Sequence, residues 1–249
     1  MNPNVAHEPI IKIENLYKKY GDNVVLDGFN LNLYQGENLV IMGKSGSGKS
    51  VMIKCLIGLE IPDSGTIEIM SQKLEHLSLK ALDEIRADIG FLFQGSALYD
   101  SMTVRENLEF PLRRHISKFG NVKDTLPLVE EALQNVGLKN VIDLMPNELS
   151  GGMKRRVALA RTLILKPKII IYDEPTTGLD PITSKEIILL MKSVQEKYKT
   201  SSIIITHDVD CARVIANRMI LLIDGKNYAE RTFAELSTSQ DPKVKAFFK

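Results

Sequence analysis

Residues 39–50 read Leu39-Val40-Ile41-Met42-Gly43-Lys44-Ser45-Gly46-Ser47-Gly48-Lys49-Ser50. The opening run, 39–42, has no polar interruption, and such runs suit a strand buried on both faces of a parallel sheet. The remainder fits the spacing GxxxxGK[ST]. Glycine lets the backbone approach a phosphate with no Cβ in the way. The N–H groups of the loop, and of a helix opening at its end, then face the anion. Gly43, Lys44, Ser45, Gly46, Ser47, Gly48, Lys49 and Ser50 are therefore candidate nucleotide contacts, with Lys49 on the β- and γ-phosphates and the Ser50 hydroxyl on Mg²⁺. A Gly/Ser-rich connection with no ligand is the plain alternative, but Lys and Ser in register after a buried strand count against it. The helix is expected from Lys49 to Gly58, with Val51, Ile53, Leu56 and Ile57 toward the core.

A second strand end carries complementary chemistry. Ile169-Ile170-Ile171-Tyr172 runs into Asp173-Glu174, and ligands sit at the carboxyl ends of strands in open α/β sheets. Asp173 is a candidate for holding Mg²⁺ through its water shell, and Glu174 for polarising an attacking water as general base. Alone, two carboxylates at a strand end could simply meet solvent; beside a phosphate loop they read as hydrolytic.

Working outward, Ile10–Leu16, the alternation Phe29/Leu31/Leu33 and Gly65–Met70 read as strands of a small β layer. From about Ser96 to Leu165 the pattern turns helical. Thr103-Val104-Arg105-Glu106 is a capping box, Leu126–Val136 is a helix ended by Gly137, and Ser150 caps another running to about Leu165. Strand runs return at 169–172, 202–206 and 219–223. Thr183-Ser184-Lys185-Glu186 reads as the cap of a helix with Ile187, Met191, Val194 and Tyr198 on one face.

Composition excludes several classes. Lys+Arg number 32 and Asp+Glu 31, a net charge of +1, which is not the footprint of a nucleic-acid binder. Cys55 and Cys211 lie far apart and are expected buried, as in a reducing compartment. No apolar run approaches the ~20 residues of a spanning helix, and Met1–Pro9 lacks the apolar core of a leader peptide. The chain is expected at the cytoplasmic face of a membrane only if another chain recruits it.

Between the two strand-end motifs lies Leu149-Ser150-Gly151-Gly152-Met153, which resembles the LSGGQ signature of ATP-binding cassette (ABC) ATPases. Further landmarks of that family follow in order: Tyr20 where it stacks an aromatic on adenine, Gln94 in Phe91-Leu92-Phe93-Gln94, Thr177-Gly178-Leu179-Asp180, and His207 in Thr206-His207-Asp208. Met153 replaces the common Gln and Gly178 the common Ala; neither removes a phosphate-binding N–H.

The resemblance spans the whole chain and implies an α/β, P-loop NTPase (RecA-like) fold. Its parallel core, with a small antiparallel β subdomain, would occupy about 1–94 and 166–249, and an inserted helical signature subdomain about 95–165. It implies ATP and Mg²⁺ as ligands, with Ser50, Gln94 and Asp173 on the metal, Glu174, His207 and Gln94 in catalysis, and Ser150, Gly151 and Gly152 on the γ-phosphate. Two anion cradles in one chain cannot share one phosphate if the helical arm projects outward. Head-to-tail homodimers, as in the family, resolve this, with Asp180 acting across the pair. Lys154, Arg155 and Arg156 read as a solvated or interface face rather than catalytic.

The stretches Gly48–Val51, Phe93–Asp100, Gly151–Arg156, Asp180–Thr183, Phe233–Leu236 and Asp241–Val244 look like the ATPases of Mla-type, Mce-associated lipid transport systems. That implies an integral-membrane permease and an Mce-type substrate-binding protein as partners, and phospholipid transport at the inner membrane. The permease's coupling helix is expected against Leu98, Tyr99 and Met102. Other cargoes (lipoprotein release, cell division, amino-acid import) and a soluble ABC ATPase acting on DNA or ribosomes are the alternatives. The short Ser50–Ser150 interval, with no room for a long coiled coil, and the single cassette argue against the last.

Overall fold

The computed structural model describes residues 8–115 and 124–248; most of the polar stretch Met1–Pro9 lies outside them. In chain order the elements are β1 (Ile11–Tyr20), β2 (Asn23–Leu33), β3 (Asn38–Met42), α1 (Lys49–Leu56), β4 (Ser64–Ile69), β5 (Gln72–Lys73), α2 (Leu79–Ala87), β6 (Ile89–Leu92), α3 (Val104–Arg114), α4 (Leu126–Asn135), α5 (Gly151–Leu163), β7 (Ile169–Asp173), α6 (Pro181–Tyr198), β8 (Ser201–Ile205), α7 (Val209–Ile215), β9 (Arg218–Ile223), β10 (Lys226–Arg231), α8 (Phe233–Ser237) and α9 (Pro242–Lys245). They form two compact units: one runs to Arg86 and resumes at Ser201, the other spans Ala87–Thr200.

In the first unit an antiparallel sheet, ordered β2-β1-β4-β5, is registered by Ile11↔Leu33, Ile13↔Leu31 and Ile13↔Ile67. The period-2 pattern puts Ile11, Ile13, Phe29, Leu31, Leu33, Ile67 and Ile69 on its buried face. A second sheet sets β3 between parallel β8 and β9, with β10 antiparallel on β9. Every residue of β3 and β8 is buried, which is why neither run alternates. Burying an aliphatic side chain such as Leu39 or Ile41 contributes ~1.5–3 kcal/mol. Helix α1 buries Met52, Ile53, Cys55 and Leu56, whereas Val51 and Ile57, expected inward, are half-buried. The helix ends earlier than its pattern suggested, because Gly58 turns left-handed at φ +69° and terminates it.

The second unit pairs β6 with β7 in parallel, Ile89↔Ile169 through Leu92↔Tyr172, and carries α3 to α6. The capping box at Thr103–Glu106 opens α3, and Ser150 caps α5 by accepting from Met153 N at 3.2 Å. Buried Glu109 of α3 accepts from Arg105 (2.8 Å), Arg113 (2.5 Å) and Thr125 at the start of α4 (2.7 Å). One cap differs from the sequence expectation. Helix α6 is capped by Asp180, whose carboxylate accepts from Ile182 N and Thr183 N, both at 3.0 Å, not by Thr183. Pro181 suits the first helical position, where its missing N–H costs nothing. Both cysteines are buried and form no disulfide.

Candidate functional site

The first unit brings the phosphate loop and His207 to one sheet edge. β3 ends at Met42, the loop occupies 43–48, and α1 starts at Lys49. A Cβ on Gly43 would lie 2.4 Å from Ser47 Oγ and 2.9 Å from the Leu222 carbonyl; one on Gly48, at φ +102°, would lie 2.7 Å from the Val25 carbonyl. The curl therefore closes only with glycine at both positions. Lys49 Nζ donates to the Gly43 and Lys44 carbonyls at 2.7 and 2.9 Å, so the ammonium is held inside the curl. Ser47 Oγ is buried with no hydrogen-bond partner among the described residues, an orphan of the kind that costs ~1–3 kcal/mol unless a ligand atom meets it. A glycine cradle, an ammonium at its centre and an orphan hydroxyl together fit a nucleotide's phosphates. A cavity of about 510 Å³ opens over the loop, lined by Val24, Val25, Lys44 to Ser47, Lys243 and Phe247.

Strand β8 runs beside β3, with Ile41↔Ile205 in register and Thr206 N donating to the Ile41 carbonyl at 3.3 Å. Exposed His207 therefore leaves the sheet at the carboxyl edge where the loop begins. Tyr20 stands elsewhere, at the end of β1 on the antiparallel sheet. The residue is 45 % exposed, with the Lys18 ammonium 5.3 Å from the ring centroid. Partial desolvation, then the neighbouring Glu60 carboxylate, holds its hydroxyl pKa above the ordinary value.

In the second unit the parallel register Leu92↔Tyr172 brings Gln94 and Asp173-Glu174 out at the same edge. Glu174 adopts φ +49°, a left-handed conformation that costs a non-glycine residue on the order of 1 kcal/mol and is typical of functional turns. Its carboxylate accepts from Thr177 Oγ1 at 3.1 Å, and its carbonyl from Thr177 N at 3.3 Å. Ser150 and Gly151 are exposed at the N-terminus of α5 and Gly152 is half-buried, a Cβ there meeting Thr183 Cγ2 at 2.8 Å. Gly178 sits at φ +80°, which accounts for glycine in that turn.

The reading of Lys154–Arg156 as one solvated or interface face is corrected. Arg155 is buried, 3 % exposed, and donates to the carbonyls of Phe93 (2.7 Å), Gln94 (2.5 Å) and Thr177 (3.4 Å). Sequence reasoning missed this tie. The available signal was the i, i+4, i+7 row Arg155, Leu159, Thr162, whose other members are buried. Among the described residues no helix is long and apolar enough to cross a membrane.

The model of the ABC transporter family matches residues 26–177. The chain is 39% identical over 243 residues to the intermembrane phospholipid transport system ATP-binding protein MlaF of Haemophilus influenzae, covering 98% of this chain and 91% of that protein. It is 36% identical over 252 residues to the methionine import ATP-binding protein MetN of Campylobacter jejuni, covering 96% and 75%. Among solved structures, the dimeric post-hydrolysis ATP-binding cassette MJ0796 with ADP and Pi superposes with a TM-score of 0.79 at 36% identity, over 90% of this chain and 98% of that one. Likeness of this extent, on a sheet edge shaped for phosphate, means that the chain belongs to the ABC transporter family, as one of its ATP-hydrolysing nucleotide-binding subunits.

Proposed function

We propose that this subunit works as a homodimer that hydrolyses Mg²⁺-ATP to drive phospholipid transport through a membrane permease. The observation that carries the chemistry is the curl of Gly43–Ser50 closed around the Lys49 ammonium, with Ser47 Oγ left for a ligand atom. The loop amides, the α1 N-terminus and Lys49 bind the β- and γ-phosphates. Tyr20 stacks on adenine. Ser50, Asp173 and Gln94 would hold Mg²⁺, a cation that keeps several waters and needs few protein ligands. When bound, it neutralises charge on the phosphates. Glu174, oriented by Thr177, takes the proton of the attacking water, and His207 contacts the γ-phosphate. Ser150, Gly151 and Gly152 open a helix with roughly half a positive charge at its start, a second anion cradle that closes the site of the other copy. The dimeric state of the MJ0796 cassette supports that arrangement.

The permease is assigned to a groove of about 440 Å³ in the second unit, lined by Phe91, Phe93, Tyr99, Phe110 and Arg161. Tyr99 is 43 % exposed with its ring 4.9 Å from Phe110, and the turn before α3 is fixed by Asn107, which donates to the Tyr99 and Met102 carbonyls. Leu98 and Met102 are half-buried, so Tyr99 is the principal contact. The cargo rests on the likeness to MlaF; an Mce-type partner at the inner membrane, with this subunit on the cytoplasmic face, rests on the sequence resemblance alone. The 36% likeness to MetN supports amino-acid import as the second reading. Reconstituting the chain with its permease and following labelled phospholipid and labelled methionine separates the two. ATP-dependent phospholipid movement is expected, and methionine movement with phospholipid inert would replace the lipid reading.

A further inference from the structure

Helix α5 does more than present Ser150–Gly152. Arg155, one turn in, holds the carbonyls of Phe93 and Gln94. Further along, Arg161 donates to the carbonyls of Ala97 at 2.8 Å and Ser96 at 3.2 Å, and its guanidinium lies 5.8 Å from the Tyr99 ring. Four carbonyls of the loop that leaves β6 are thus held by two guanidiniums of one helix. The loop is not relaxed: Ser96 sits at φ +63° and Ala97 at φ +46°, and left-handed backbone costs an L-residue ~1–2 kcal/mol. The clamp is itself costly. Burial depresses the pKa of both guanidiniums, their hydrogen bonds among the described residues go to carbonyls alone, and Arg155 Nε finds no partner. A buried cation without a carboxylate is expensive, and nothing in the packing of α5 requires one, since Val157, Ala158, Leu159 and Ala160 supply its core contacts.

We propose that Arg155 and Arg161 are positioning residues that make the Gln94 loop and α5 one mechanical element, so that a protein seated on Tyr99 moves Ser150–Gly152 together with Gln94. The third bond of Arg155, to the Thr177 carbonyl, extends the element to the turn in which Thr177 orients Glu174. The inference rests on the reading of Ser150–Gly152 as an anion cradle and of the Tyr99 groove as the permease seat. It adds that the two are joined by the arginines of α5.

The test uses the full chain assembled with its permease and reads kcat, KM for ATP and melting temperature. Arg155→Gln is expected to lower kcat about tenfold with KM within about twofold, the pattern of a lost transition-state arrangement rather than lost binding. Arg155→Lys keeps the charge but gathers its donors on one nitrogen, which does not span the carbonyls of Phe93, Gln94 and Thr177 as the guanidinium fork does, so it recovers part of kcat. An arginine that merely props the fold would lower the melting temperature and leave kcat of the folded complex unchanged, which overturns the proposal. Should Arg155→Gln fail to assemble, Arg161→Gln is compared in wild-type and Ser96→Gly backgrounds. Glycine relieves the φ at 96, so the loss of kcat is expected to be smaller there, and equal losses overturn the clamp. Ser150→Arg separates the two layers of reasoning. If it abolishes turnover while Arg155→Gln leaves kcat unchanged, the clamp alone is wrong; if it leaves turnover intact, the shared cradle is wrong and the clamp has nothing to move.

Discussion

Replacing Gly48 by alanine tests the phosphate loop where its geometry is tightest. Gly48 has φ +102°, beyond the basin that alanine tolerates, and the added Cβ would stand 2.7 Å from the Val25 carbonyl, a backbone atom of β2. The backbone conformation costs ~1–2 kcal/mol, and relieving the overlap by shifting β2 or α1 costs ~1–3 kcal/mol more, so about 3 kcal/mol in all. For a chain of this size that corresponds to a fall in melting temperature of roughly 6–12 °C. Gly46 supplies the internal control. It is also left-handed, at φ +79°, but a Cβ there meets nothing within 4 Å, so Gly46→Ala carries only the backbone term, ~1–2 kcal/mol. The assay is thermal unfolding with and without ATP, together with ATP titration. Gly48→Ala is expected to melt several degrees below Gly46→Ala and to bind ATP at least about tenfold more weakly, because the loop amides no longer converge. Equal melting temperatures for the two variants, or wild-type ATP affinity in Gly48→Ala, would refute the claim that the cradle depends on glycine at 48.

Glu174→Gln retains an acceptor for Thr177 Oγ1 but removes the base. Bound ATP with hydrolysis lowered by about 10² to 10⁴ is expected, whereas Lys49→Ala weakens ATP binding itself, and near wild-type turnover of Glu174→Gln in the permease complex would sink the assignment. With ATP and Mg²⁺, Glu174→Gln should sediment as a dimer; a strictly monomeric species with ATP demonstrably bound counts against shared sites. Burial raises the Glu109 pKa, but hydrogen bonds from Arg105, Thr125 and Arg113 outweigh it and bring it down from 4.5 to about 2. The stability it contributes is therefore complete above about pH 4.5 and is lost as pH falls toward about 2. Glu109→Gln, expected to cost ~2 kcal/mol at neutral pH, should flatten that acid limb, and an unchanged limb in the variant would show that another group titrates. Tyr99→Asp should leave the free subunit folded and ATP-binding while abolishing co-purification with the permease; intact co-purification would move the contact elsewhere.

The linear sequence by itself determined the phosphate loop, the acidic strand end, the buried strands and most helix caps. The reason is that each rests on neighbours a few residues apart: a glycine spacing, an unbroken apolar run, a Thr with Glu three positions on. It marks Gly43–Ser50, Asp173, Glu174 and Ser150–Gly152 by number as candidates. It misassigned the α6 cap to Thr183, whose capping-box pattern is local, whereas the backbone path makes Asp180 the cap. It could not see that Glu174 adopts φ +49°, since a left-handed carboxylate leaves no mark on its neighbours. Nor could it see that Arg155 is buried. The carbonyls that receive its guanidinium belong to residues 93, 94 and 177, distant in sequence and brought together only when β6 and β7 pair. Whether an arginine meets water or a ring of carbonyls depends on what the rest of the chain places around it, and that only the tertiary structure decided.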